Sequence, residues 1–216
     1  MNWNWIVVSL IATLGLAGCA SYKPSSAPVP APTAEEMFVS EGYAVAGDAY
    51  VERDRQKNVF DADLRERGLL AIQMLVINKT DQPVLVRRTD MMLKLPDGSQ
   101  ITTLSAHSAA VQVGEGGSAV GATLAFGLIG ALAASSAEDT ARNARIADYQ
   151  LKEFKDARLG KDETAHGFVF FMPPPGTKPF DQAELAVRFV DIESATSKII
   201  LIPLLGLGFP STEKKD

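Results

Sequence analysis

The sequence predicts a mainly β domain, an antiparallel β-sandwich that a helical insertion interrupts. Short apolar segments of strand length recur along the chain, with turn signals between them, as is typical of a sandwich. Residues 105–165 separate two of these segments, and a structureless loop of that length is rare in a compact domain. Strands do not alternate with helices as they do in a doubly wound fold. The sequence therefore favours one β domain in which the long connection is helical.

The strand candidates lie on both sides of that connection. Residues 69–77 are almost continuously apolar, which is typical of a strand that is covered on both faces. Pro96-Asp97-Gly98 is a turn signal, since proline presets φ and glycine accepts a positive φ. The other candidates are 84–88, 91–95, 101–104, 167–172, 185–190 and 198–204, with weaker patterns at 43–51 and 56–64.

The connection contains an uncharged stretch of 22 residues, 116–137, between Glu115 and Glu138. Small residues recur in it at a spacing of four: Gly117, Gly121 and Ala125 form one row, and Gly127 and Ala131 belong to a second. On a helix each row lies along one face, where another helix can approach closely. The stretch resembles glycine-zipper segments, which pack helix on helix in membranes.

Two interpretations of 116–137 remain open. Its length would allow it to cross a bilayer, and the small-residue rows favour membrane contact or self-association. Glycine costs a helix in water about 1 kcal/mol relative to alanine, so an isolated soluble helix would be marginal. The alternative is therefore a segment packed against the sandwich, or a mobile loop.

The residue pattern of the segment 138–158 predicts a second helix, which is amphipathic. Ala144, Ala147, Leu151 and Phe154 would form a narrow apolar stripe, and Asp148 and Lys152 are opposite charges four residues apart. The stripe would cover an edge of the sandwich or bind a partner protein.

The N-terminus has the pattern of an export signal. Residues 6–17 are an apolar run of 12, which suits a signal peptide and is too short to cross a bilayer. The run ends in Leu16-Ala17-Gly18-Cys19, which contains the one cysteine of the chain. This tetrapeptide resembles the lipobox of bacterial lipoproteins, although residues 1–5 lack the usual Lys or Arg.

The resemblance implies that Cys19 is acylated and becomes the first residue of the mature protein. The membrane would then be a partner through the acyl chains on Cys19, and the protein would reside in the bacterial cell envelope. Ala20 in place of aspartate resembles the pattern sent to the outer membrane, facing the periplasm, in a host with two membranes. The body weakly resembles the immunoglobulin-like domains of envelope lipoproteins, which implies an immunoglobulin-like β-sandwich.

Three regions follow from these patterns. Residues 1–18 are a signal peptide, and residues 19–34 are the lipidated cysteine with a proline-rich tether. Prolines at positions 24, 28, 30 and 32 favour an extended, semi-rigid spacer that would hold the domain off the membrane. Residues 35–216 form the sandwich, with the helical insertion at about 105–160.

The composition argues against several functions. With 21 basic and 26 acidic side chains, the net charge of −5 does not suit a nucleic-acid binder. One cysteine and two histidines predict no metal site, and Gly116-Gly117-Ser118-Ala119-Val120 lacks the last glycine of a nucleophile elbow. We expect no cofactor and no enzyme activity.

The sequence thus predicts a non-catalytic structural or protein-interaction role, with a protein partner or a second copy of the chain binding through 116–137. The alternative is a carrier or sensor that binds lipid or another apolar ligand with the Gly/Ala-rich insertion. A hydrolase with an unrecognised site is the third class.

Overall fold

The computed structural model describes residues 22–32, 37–114, 136–175 and 183–204, and these form a mainly β, antiparallel protein with three α-helices. The strands are β1 Phe38–Ser40, β2 Tyr43–Ala49, β3 Leu70–Asn78, β4 Val84–Val86, β5 Met92–Lys94, β6 Gln100–Thr102, β7 Ala157–Leu159, β8 Thr164–Phe171, β9 Glu184–Asp191 and β10 Ser197–Pro203. The helices are α1 Arg53–Phe60, α2 Ala106–Gly114 and α3 Ser136–Lys152.

The strands form two sheets. The first has the order β1-β2-β3-β8, with β3 in register against β2 through Val45↔Val76 and against β8 through Ile72↔Val169. In the second sheet, one edge of β9 pairs with β10 along its whole length. On its other edge, β9 pairs with β5 near its N-terminal end and with β4 near its C-terminal end. Strand β5 also pairs with β6, and β4 also pairs with β7.

The first sheet is apolar on both faces. In β8, Val169 and Phe171 point into a core shared with the second sheet, whereas Phe168 and Phe170 point into a second core on the opposite side. Side chains from α1, α2 and α3 cover that second core. The prediction that residues 69–77 form a strand covered on both faces is confirmed by β3.

Most predicted strands are present, but the segment 56–64 is not a strand. It begins inside α1, which buries Gln56, Val59 and Phe60. These three positions have the i, i+3, i+4 spacing of one helix face, so the helix can bury them together.

The structure describes the predicted insertion up to residue 114 and again from residue 136, and each of these two parts contains a helix, α2 and α3. Helices α2 and α3 run antiparallel: the backbone N–H of Ala106 donates to Oε1 of Glu153 at 2.8 Å, and Gly114 lies against Arg145 at the other end. The predicted small-residue rows, with Gly117, Gly121, Ala125, Gly127 and Ala131, lie outside the described residues. Among the residues that are described, no helix is long and apolar enough to cross a membrane.

The predicted second helix ends earlier than expected and buries a different face. Helix α3 stops at Lys152, and the residues beyond it include β7. Ala147 is exposed and Leu151 is 84% exposed, so the predicted stripe does not form. The helix instead turns Asp148 and Tyr149 inward, because the Tyr149 ring stacks on Phe170 of β8.

Gly167 allows the chain after α3 to approach β8. The N–H of Phe154 donates to the carbonyl oxygen of Phe168 at 2.8 Å, and a Cβ on Gly167 would lie 2.6 Å from the backbone N of Phe154. Gly167 also has a φ of +153°, so a side chain there would be strained as well as obstructed.

We expect Gly167→Ala to lower the free energy of unfolding by about 2–3 kcal/mol, because backbone rather than a flexible side chain must move. Gly98→Ala is the matched control: Gly98 has a φ of +84° but nothing within 4 Å, so it should cost only about 1 kcal/mol. Urea denaturation of both variants measures the difference. Equal losses would contradict the close approach at Gly167.

Candidate functional site

The proline-rich segment at the N-terminus lies on the domain, and we call residues 22–32 the N-terminal strap. It has neither helix nor strand. The Tyr22 hydroxyl donates to Asp148 of α3, and the Ser25 hydroxyl donates to the carbonyl oxygen of Val59 in α1 at 2.9 Å. The carbonyl oxygen of Pro28 accepts from Nε2 of Gln73 at 2.5 Å. The strap is therefore held by α3, α1 and β3.

The described part of the predicted tether, residues 22–32, thus lies on the domain, whereas a spacer free of the domain was expected there. Tyr22 is 8% exposed and belongs to the second core, which the helices cover, and Ala27 packs against the same core. Burial of an aromatic ring is favourable by about 1.5–3 kcal/mol, which opposes release of the strap into water. The predicted lipidation site, Cys19, lies outside the described residues.

A buried polar cluster holds the first residue of the strap, and we define it as Tyr22, Asp148 and Lys152. The Asp148 and Lys152 side chains are 8% and 3% exposed and form an ion pair one helical turn apart. Lys152 also donates to the carbonyl oxygen of Val59, and Asp148 also accepts from Tyr22. A buried ion pair is costly unless further hydrogen bonds satisfy both charges, and here each charge has a second partner.

The raised pKa of the Tyr22 hydroxyl keeps it protonated within this cluster. Burial raises the pKa of the Tyr22 hydroxyl, and the hydrogen bond to Asp148 raises it further, so Tyr22 remains a neutral donor at ordinary pH. Burial lowers the pKa of the Lys152 ammonium, and Asp148 opposes that shift.

Aromatic rings lie beneath the cluster. Phe60 of α1 lies between Phe168 and Tyr149, at centroid distances of 4.9 and 5.1 Å, and the Tyr149 hydroxyl donates to the carbonyl oxygen of Phe60 at 3.3 Å. The Lys152 ammonium lies 5.5 Å from the centre of the Phe60 ring. Such ring pairs contribute about 0.5–1.5 kcal/mol each beyond their burial, so they stabilise the packing of α1, α3 and β8 beneath the strap.

Beyond Pro28 the strap forms one wall of a groove of about 810 Å³. The rest of the lining comes from β1, β2, β3 and the end of β10, together with Tyr50 and Arg55. The Arg55 guanidinium lies 4.1 Å from the centre of the Tyr50 ring and pairs with Asp48, with Nη2 and Oδ2 2.5 Å apart. The groove has the volume of a small-molecule pocket.

Among the residues that the structure describes, no three His, Cys, Asp or Glu side chains are grouped so that they could hold a metal ion. His107 on α2 and His166 on β8 are both exposed. The predicted site residues, Cys19 and the five small residues of the insertion, all lie outside the described ranges, so the structure brings none of them together.

The residues that build the described site were not predicted as a site. Asp148 and Lys152 were recognised only as a charge pair on a helix surface, and the structure confirms the pair but buries it. Tyr22 is the one aromatic residue of the proline-rich segment, and that was the available signal that the segment packs on the domain.

No family model matches the chain, and no curated protein does either. Three solved structures share a TM-score of 0.36 with it. A candidate lipoprotein of Bacillus subtilis (ycdA) is 12% identical, over 78% of this chain and 38% of that one. The yjhA protein of Bacillus subtilis is 8% identical, over 77% and 96%. A protein of unknown function from Listeria monocytogenes is 10% identical, over 78% and 80%. This chain thus spans well under half of the ycdA protein.

We expect Tyr22→Ala to lower the free energy of unfolding by about 3 kcal/mol in a chain that begins at Ala20, because it removes a buried ring and a hydrogen bond to a carboxylate. Val29→Ala is the matched control in the same strap: Val29 is 73% exposed, so its loss should cost under about 0.5 kcal/mol. Urea denaturation compares them. A free spacer would leave both variants as stable as the parent.

The buried tyrosines also predict a loss of stability at alkaline pH. The pKa values of Tyr22, Tyr43, Tyr50 and Tyr149 are raised above their ordinary value of 10.0, mainly by burial. Above pH about 10 the unfolded chain releases these protons first, so the stability present below that pH should fall as the pH rises. The lowered pKa of Lys152 acts in the opposite direction, but it is one group against the four tyrosines, and the raised pKa values of Lys161 and Lys198 act with the tyrosines.

The urea midpoint should therefore fall between pH about 9 and 11. In Tyr22→Phe the fall should be shallower, because one of the four hydroxyls with a raised pKa is gone. A parental midpoint that stays constant over this range, or a variant with the parental slope, would contradict the assignment of Tyr22.

Proposed function

We propose that this protein is a membrane-anchored lipoprotein of the bacterial cell envelope with a non-catalytic structural or protein-interaction role. The observation that carries the proposal is the sequence Leu16-Ala17-Gly18-Cys19 at the end of an apolar run of 12 residues. The folded part would be the immunoglobulin-like β-sandwich that the strand pattern predicts. Acyl chains on Cys19 would be its attachment to the bilayer.

Acylation at this position suits durable anchoring. Each buried CH₂ group contributes about 0.8 kcal/mol, so one acyl chain holds a protein weakly and several hold it for long times. The lipobox resemblance implies three chains. In a host with two membranes, Ala20 favours the outer membrane, with the domain on its periplasmic side.

The buried ionisable groups support a structural role over a catalytic one. Asp148 and Lys152 pair with each other, and their remaining hydrogen bonds go to Tyr22 and to the backbone of Val59. General acid or base catalysis needs a titrating group within reach of a substrate, and here the burial of both charges works against such access.

The alternative function is a carrier or sensor for lipid or another apolar ligand. The Gly/Ala-rich insertion suggests it, and the groove beside the strap is a described cavity of suitable size, about 810 Å³. A carrier predicts that lipid co-purifies with a chain that begins after Cys19, whereas a purely structural protein predicts none.

Replacement of Cys19 tests the proposal directly. In a bacterial host supplied with labelled palmitate, we expect Cys19→Ala to abolish incorporation of the label. When Cys19→Ala is exported through a conventional cleavable signal, carbonate washing should release it from the membrane. Ser21→Ala, which leaves the lipobox intact, is the control and should stay labelled and membrane-bound.

Label in the Cys19→Ala variant would overturn lipidation at this residue. An unlabelled variant that still resists carbonate would show that the acyl chains are not the sole anchor, and the uncharged stretch 116–137 would then be the second membrane contact.

A further inference from the structure

Two ends of the described chain meet at one corner of the domain. The Arg145 guanidinium lies 5.1 Å from the centre of the Tyr22 ring, at the start of the strap. The Nη1 atom of Arg145 would lie 2.6 Å from a Cβ on Gly114, the last residue of α2. We call Tyr22, Gly114 and Arg145 the Arg145 corner.

Covalent geometry limits how far the chain can travel from this corner. An extended chain spans at most about 3.6 Å per residue. Cys19 is three residues before Tyr22, so its Cα lies within about 11 Å of the Cα of Tyr22. The uncharged stretch begins at Gly116, two residues after Gly114, and therefore starts within about 7 Å of it. Both limits hold for any conformation of the intervening residues.

The contacts of the strap with the domain keep Cys19 close to the folded part. A free tether over 19–34 would allow the domain to move more than about 50 Å from the lipid. Tyr22, Ser25 and Pro28 are hydrogen-bonded to three different elements of the domain, so the chain is held on the domain from Tyr22 onward.

We propose that the Arg145 corner is the surface of the domain that faces the lipid bilayer. This inference rests on the proposed acylation of Cys19 and adds an orientation to it. The acyl chains hold the corner within a few residues of the membrane, and the uncharged stretch leaves from the same place.

The opposite end of the molecule then points away from the bilayer. The end of α2 lies beside the start of β3, because Nε2 of Gln112 donates to the carbonyl oxygen of Arg67 at 3.3 Å. From Leu70 strand β3 runs to Asn78, which is about 26 Å away at 3.3 Å per residue. The turn after β9 lies at that far end, because the N–H of Ile192 donates to the carbonyl oxygen of Pro83 at 3.1 Å. Glu193 in this turn is exposed.

The single cysteine of the chain makes the orientation measurable. Acylation uses the Cys19 thiol, so one added cysteine is the only free thiol of the lipidated protein. Lys23→Cys and Ala147→Cys place it near the corner at exposed positions, and Glu193→Cys is the matched exposed control at the far end. Each variant of the full lipidated chain receives a fluorescent label. It is then bound to phosphatidylcholine vesicles that carry nitroxide-labelled headgroups.

We expect quenching at Lys23→Cys and Ala147→Cys to be several-fold stronger than at Glu193→Cys. Equal quenching at the three positions, or the strongest quenching at Glu193→Cys, would overturn the proposed orientation. Failure of the proposed function gives a different result, since a chain without acyl groups would not sediment with the vesicles.

A longer link tests whether the short distance between Cys19 and Tyr22 sets the orientation, and it leaves the residues of the strap itself unchanged. Insertion of about twelve Gly and Ser residues between Ser21 and Tyr22 lets the domain move away from the bilayer. Quenching at Ala147→Cys should then fall towards the value at Glu193→Cys, while sedimentation with vesicles stays unchanged. Unchanged quenching would overturn the role of the three-residue link.

Discussion

The structure depends on a sheet that must be covered on both faces. Strands β3 and β8 alternate apolar side chains to either side, so neither face of the β1-β2-β3-β8 sheet can be left in water without a large loss of burial. The second sheet covers one face. The helices and the strap cover the other, and this requirement explains why a proline-rich segment packs on the domain.

The strap and helix α3 meet through charges that are removed from water. Lys152 and Asp148 are tolerated there because each has a partner outside the pair, Val59 for the ammonium and Tyr22 for the carboxylate. Removal of one partner leaves the others buried and unsatisfied, which costs more than the lost hydrogen bond alone. The cluster therefore couples the position of the strap to the burial of α3.

The strands could be predicted because apolar alternation reports directly which face is buried. The buried face of α3 could not, since it contains an aspartate and a lysine, and the pattern rules assign charged residues to solvent. The same rules placed Leu151 inside, although it is exposed. Proline content agrees with the absence of helix and strand in the strap but did not predict its docking, because docking depends on residues far along the chain.

That distance along the chain sets the order of events during synthesis. The strap contacts Val59 across 34 positions, Gln73 across 45 and Asp148 across 126, so the bond from Tyr22 is the last of the three that can form. Chains emerge N-terminus first, and Tyr22 has no partner until α3 has been made. If Cys19 is acylated as proposed, the enzyme that modifies it would therefore meet an open peptide. Folding closes the strap afterwards, so under the proposed lipidation attachment to the membrane would precede completion of the domain.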